Sequence, residues 1–209
     1  GLPALMVDGI PGSWHHGRVT ELWPGRLLGA FWWVDRLDKR PMVNPATTGT
    51  APSHTYLMDS YDDGRTWEHR REVYMDPIEG TALMGGPLKM SAGRVGVVSE
   101  AWKTFYDDGV GVHKAILSIS EDGAGRTFDR PVVVATDPDN RLLFWDVRMA
   151  VDPETGRLAA MFWTHDRVAG QDVNARIAWG SPDGRQWTYP VDAGFAGQIP
   201  TPLILPDGR

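Results

Sequence analysis

Two stretches of this chain repeat one set of reactive and recognition side chains. The first is Trp14-His15-His16-Gly17-Arg18, followed by Trp32-Trp33-Val34-Asp35-Arg36-Leu37-Asp38. The second is Phe144-Trp145-Asp146-Val147-Arg148, followed by Trp163-Thr164-His165-Asp166-Arg167. Aligned on the glycine of the Gly-Arg pair inside each stretch, Arg18 corresponds to Arg148 and Asp35 to Asp166. A middle stretch departs, with Gly86 or Pro87 in place of the arginine and Lys103 in place of the aspartate. Guanidinium forks suit an acidic group, and the rings of Trp33 and Trp145 suit the flat face of a sugar. Asp146 and Arg148 alternate onto one side of a strand, as the wall of a pocket or as a local ion pair. Glu100 sits in an apolar run, where burial would suit it to acid or base work. Plainer roles compete: Arg18 as a bridge between structural units, Asp35 and Asp38 as solvated neighbours of Arg36, Lys39 and Arg40, and His165 beside Asp166 as a structural pair.

The elements that position these residues are announced by repeats. Ser60-Tyr61-Asp62-Asp63-Gly64-Arg65-Thr66-Trp67 returns, one residue longer, as Ser120-Glu121-Asp122-Gly123-Ala124-Gly125-Arg126-Thr127-Phe128. It returns again, one residue shorter, as Ser181-Pro182-Asp183-Gly184-Arg185-Gln186-Trp187. The closing aromatics lie 61 and then 59 residues apart, a near-constant period that marks a repeat architecture. Ser and Asp fold back onto backbone amides in such turns, and the aromatic packs beneath them. A second motif runs out of phase: an apolar run, a Gly-Arg turn and another apolar run, at Gly25-Arg26, Gly93-Arg94, Gly156-Arg157 and, at the chain's end, Gly208-Arg209. Each reads as a hairpin of two antiparallel strands.

Hairpin, intervening segment, strand, turn and strand make a four-stranded unit, the blade of a β-propeller. The fold class is therefore all-β, with residues 1–209 as one partial propeller. The blades fall at about 13–75, 81–135 and 142–191, and 198–209 opens the next. Because propellers typically close with about 4–8 blades, the sequence reads as roughly the first half of a longer propeller. The rival is a half-propeller completed by a second copy of the chain. Both turn types fall on one face of such a propeller, and the candidate residues collect on the other, where inner strands converge on a funnel.

Composition limits the possibilities further. Ten tryptophans fit aromatic staples between repeated blades, and no apolar run is long enough for a membrane span. A net charge of −6 with interspersed signs leaves no footprint for nucleic acid. Without cysteine there is no disulfide or thiolate chemistry, and the compartment stays open. His15-His16 is adjacent, a spacing that does not suit a shared metal, and no cofactor motif is present.

The Ser-Asp-Gly-Thr-Trp turns resemble the Asp-box repeat of the sialidase (neuraminidase) superfamily; the copy at 60–67 fits the pattern without a gap. The resemblance implies a six-bladed propeller and a secreted or periplasmic exo-glycosidase that removes a terminal sialic-acid-type sugar from glycans. By position it implies that Arg18 grips the substrate carboxylate and that Asp35, with Asp38 as second choice, is the acid/base. Arg18-Val19-Thr20 replaces the family's Arg-Ile-Pro. The nucleophilic tyrosine, its glutamate partner and two further arginines would come from later blades. Trp33, Glu100, Trp145, Asp146, Arg148 and Asp166 would line the pocket. Two alternatives stay open: a non-catalytic propeller that binds glycan or protein, and a glycosidase of other specificity working through paired carboxylates, such as Asp35 with Glu100 or Asp166.

Overall fold

The computed structural model describes residues 6–7, 9–36, 40–75 and 80–205. They form three antiparallel sheets. The first contains β1 (Met6–Val7), β2 (Ile10–Trp23), β3 (Arg26–Asp35), β4 (Ser53–Ser60) and β5 (Glu68–Glu72), in that order. The second runs β10 (Val132–Ala135), β9 (Lys114–Ser120), β8 (Val95–Ala101), β6 (Thr81–Leu83), with β7 (Leu88–Lys89) also paired to β8. The third is β11 (Leu142–Val151), β12 (Leu158–Asp166), β13 (Gln171–Gly180) and β14 (Val191–Asp192). Neighbours in sequence are neighbours in the first and third sheets, and in the second once β6 and β7 are taken as one interrupted strand along β8, the up-and-down order expected of hairpins joined in series. Residues 198–205, expected to begin another unit, pair with no strand among the described residues.

Strand alternation builds the core. On β3 the side chains of Leu28, Ala30, Trp32 and Val34, with Leu57 of β4, face the second sheet and meet Val97 and Ile116 there. Phe31 and Trp33 take the opposite face with Tyr56 and Met58. A further cluster joins the second sheet to the third through Val98, Leu117, Phe144, Val147, Phe162 and Ala178.

The two turn motifs hold adjacent sheets together. Trp23 pairs with Arg26 around Pro24-Gly25, where Gly25 supplies the positive φ (80°) that the tight turn requires. In the turn at 60–67, Asp62 accepts from the Thr66 amide (2.9 Å), the Thr66 hydroxyl (2.7 Å) and Ser60 Oγ (2.9 Å). Asp122 repeats this with the amides of Ala124 and Thr127, each at 2.8 Å, and Asp183 with Ser181 and the Arg185 amide. Trp67 closes its turn edge-on against Phe31, 5.1 Å between centroids. Arg26 and Arg71 of the first sheet share buried Asp59 at 2.8 and 2.7 Å and extend to the carbonyl of Ala124 in the second sheet's turn. Ser91 Oγ donates to the Pro182 carbonyl at 2.8 Å, and Arg185 reaches Glu121 and Asp129, so the second and third sheets are joined in the same way. The hairpin turns and the Ser-Asp-Gly turns therefore lie on a common face.

Candidate functional site

At the opposite side of the sheets, the strands β2, β6–β7 and β11 approach one another, and each loses its regularity there. In β2 the register shifts between Trp14 and His16. In β11 it shifts between Trp145 and Arg148, leaving Asp146 and Val147 opposite a single residue. Between β6 and β7 the ladder is interrupted at Met84–Pro87, and the amides of Met84 and Gly85 share the Val98 carbonyl. Bulges re-aim side chains that the regular pleat would direct elsewhere. Asp146 has φ +49°, a left-handed conformation costly for a residue with a Cβ.

These irregularities bring five charged or titratable groups together: His16 and Arg18 from β2, Glu100 from β8, and Asp146 and Arg148 from β11. Arg18 pairs across the ladder with Ala30, and Arg148 with Met161, each four residues beyond the arginine of its hairpin turn. The two therefore occupy equivalent register positions. Among the described residues Arg18 is exposed, forms no ion pair and donates only to its neighbour's carbonyl, that of Gly17, at 3.4 Å. A side chain at Gly86 would stand 3.3 Å from both the Arg18 Cβ and Thr20 Oγ1, so glycine permits the close approach, and Thr20 Oγ1 donates to the Pro87 carbonyl at 2.6 Å. His16 Nε2 donates to the Leu83 carbonyl at 2.7 Å; burial, with further help from Arg18, His15 and Arg148, pushes its pKa down despite that bond.

Arg148 donates to the carbonyls of Asp146 and Val147 at 3.3 and 3.1 Å and lies 3.9 Å from the Asp146 carboxylate. Burial lowers its pKa, Asp146 opposes that, and the charge of Arg18 adds to the lowering. The Asp146 carboxyl is pushed up, first by burial and then by the negative charge of Glu100, against the pull of Arg148. Glu100 accepts from His113 Nε2 at 3.1 Å and from the Val147 amide at 3.4 Å. A cleft of about 290 Å³ opens beside it, walled by Val43, Ala82, Trp102, His113 and Trp145. Trp145 stacks on His165 at 5.0 Å, and His165 Nδ1 lies 2.8 Å from Asp172, so this histidine serves a partner other than Asp166.

The other expected site residues lie elsewhere. Asp35 pairs with Gly12, five residues along β3 from Ala30, which places it about 17 Å from the Arg18 position. Strand alternation also puts it on the face of Phe31 and Trp33, away from Arg18. It is buried, with Arg40 Nη2 3.8 Å from its carboxylate. Asp38 lies outside the described residues. Trp33 is 1% exposed and packs across Gly12, so its ring has no free face to offer a sugar. Asp166 accepts from Arg141 Nε and Nη2 at 2.9 and 2.6 Å and from the amides of Val168 and Ala169 at 2.9 and 3.0 Å. Arg141, with the Ala169 amide, holds its pKa down at about 2, the signature of a turn cap. Of the expected residues, Arg18, Arg148, Asp146 and Glu100 converge, with Trp145 at the edge. His16, read from sequence only in the context of metal binding, joins them, and nothing in its residue type or spacing separated it from its neighbour.

No protein-family model and no curated protein matches the chain. Solved structures do. A Hadza microbial sialidase, Hz136, aligns over 83% of this chain and 36% of its own, at 17% identity and a TM-score of 0.56. The NanB sialidase from Streptococcus pneumoniae, solved with 2-[(3-chlorobenzyl)ammonio]ethanesulfonate, aligns over 88% of this chain and 40% of its own, at 10% identity and a TM-score of 0.60. The chain spans well under half the length of either, and at these identities the likeness concerns the fold. The protein has an all-β, sialidase-like fold.

Proposed function

We propose that the protein is a sialidase-like exo-glycosidase that removes a terminal acidic sugar from glycans, with the cleft between β2, β6–β7 and β11 as its substrate site. The observation that carries this reading is the pair Arg18 and Arg148. They come from different sheets at equivalent register and stand near enough for each charge to act on the other. Like charges repel, so such a pair is stable in company with an anion, and a sugar carboxylate supplies one with the forked geometry guanidinium prefers. In this reading Arg18 takes the carboxylate from the exposed side and Arg148 from the buried side. His16 is kept neutral, and with its Nε2–H given to Leu83 its Nδ1 is an acceptor. Trp145 and the apolar cleft next to Glu100 hold the rest of the ring. The three sheets are read as consecutive blades of a six-bladed propeller, and the larger size of the sialidases that share the fold supports that count.

Hydrolysis of a fluorogenic sialoside by the protein, beside Arg18→Ala and Arg148→Ala, is the test. Turnover that collapses in both variants, with the melting temperature kept, supports the reading. Binding of free sialic acid without turnover, lost in both variants, would replace it with a non-catalytic glycan-binding propeller. Neither binding nor turnover would remove the acidic sugar as ligand.

A further inference from the structure

The carboxyl pair that sequence suggested, Asp35 with Glu100 or Asp166, is not the pair the fold assembles. Asp35 faces away beside Arg40, and Asp166 is committed to Arg141 and two amides. Glu100 instead lines the cleft, and Asp146 is the carboxyl that lies near it. They are linked through Val147, whose amide follows Asp146 directly and donates to Glu100 Oε1. The β11 bulge turns Asp146 out of the regular pleat at a backbone conformation that costs roughly 1–3 kcal/mol. Removing the bulge would relieve that cost and move the carboxyl, so the strain has a positional consequence. Glu100 Oε2 also lies 3.1 Å from Nε2 of His113, itself buried, so Glu100 is held from two sides.

We propose that Asp146 is the proton donor of this site, with Glu100 as the positioning residue that holds the β11 bulge through the Val147 amide. The inference rests on the glycosidase reading above. Cleavage breaks the bond between the anomeric carbon and the glycosidic oxygen. The bonding electron pair stays on that oxygen, which takes the Asp146 proton. Water later supplies hydroxyl to the anomeric carbon and returns a proton to Asp146, so the carboxyl ends as it began. The charged groups acting on Asp146 are Glu100 from the second sheet and Arg148 on its own strand, and Arg148 in turn feels Arg18 from the first. Glu100 opposes ionisation of Asp146, whereas Arg148 favours it.

Two measurements test this separately. The first is a carbon-13 NMR titration of the aspartate carboxyls in the chain itself. Asp146 should titrate above the ordinary aspartate value of about 3.9. Glu100→Gln should move it down and Arg148→Met up. An Asp146 that titrates at or below the ordinary value, or ignores Glu100→Gln, overturns the pairing. The second is turnover by Asp146→Asn, a substitution compatible with the left-handed backbone. Loss should be about 100-fold or more on an alkyl glycoside and less than about 10-fold on an aryl glycoside with a good leaving group. Equal losses on both would overturn the donor role. A wild type inert on every acidic glycoside would overturn the functional reading and the donor role with it, while the titration would still decide whether the two carboxyls are coupled.

Discussion

The two faces of this protein treat charge in opposite ways. On the turn face, Asp59 holds Arg26 and Arg71, Asp62 and Asp122 are ringed by amides and hydroxyls, and Arg185 bridges two carboxylates. On the cleft face, Arg18 has no carboxylate partner among the described residues, Arg148 has one at 3.9 Å, and Asp146 is half-buried near Glu100. Saturated networks hold sheets together, because removing one member strands a buried charge. An unsaturated cluster costs stability and is ready for an outside partner. Residue type alone does not separate these roles; completeness of the hydrogen-bond shell does.

Substitutions can break or sharpen this contrast. The largest effect is expected on the cleft face, where Arg148→Ala should lower kcat/KM on an acidic glycoside by about 100-fold or more and shift the melting temperature little. Asp59→Ala should do the reverse. It leaves Arg26 buried without its partner, a loss of about 3–5 kcal/mol, seen as a melting temperature on the order of 10 °C lower with the cleft chemistry intact. Acid should act next, and on the turn motifs. Asp62 is held down at about 2 by the amide and hydroxyl of Thr66, and Asp166 at about 2 by Arg141. For a depressed carboxylate the stabilisation is complete above the unfolded value, about 3.9, and disappears as pH falls through the folded one. Melting temperatures measured from pH 5 to 2 should therefore drop across that window, less steeply in Asp166→Asn. Asp146, shifted the other way, should not contribute to that loss. The smallest effect belongs to Asp35→Asn, which should alter the ratio of alkyl to aryl glycoside turnover less than twofold or so, since its carboxyl is remote from the cleft. A ratio that changes as much as in Asp146→Asn would restore Asp35 as the acid.

Much of the fold was legible because its signals are local. Ser60, Asp62, Gly64, Thr66 and Trp67 build their turn from contacts within a few residues, so their spacing foretells it. The Gly-Arg hairpins are local too, and Arg18 and Arg148 could be matched by counting from them. Trp33 was misjudged because a tryptophan at a strand end reads the same whether it faces solvent or Gly12. Alternation along β3 decided that, and it also separated Asp35 from Arg18. Asp146 was visible as a pocket residue, but the bulge that distinguishes it involves a register between β11 and β12 that no single strand displays.

By itself, then, the sequence determined the period, the hairpins, the aromatic-capped turns and the up-and-down order of strands within each sheet, because those depend on φ preferences and side-chain-to-backbone bonds of near neighbours. Only the tertiary structure decided that Glu100, Asp146, Arg148, Arg18 and His16 meet, since they come from three sheets and converge where ladder register breaks. It also decided which carboxylates are spent. The upward push on the Asp146 pKa comes from burial and from Glu100, 46 residues earlier in the chain, and neither is a property of the local sequence.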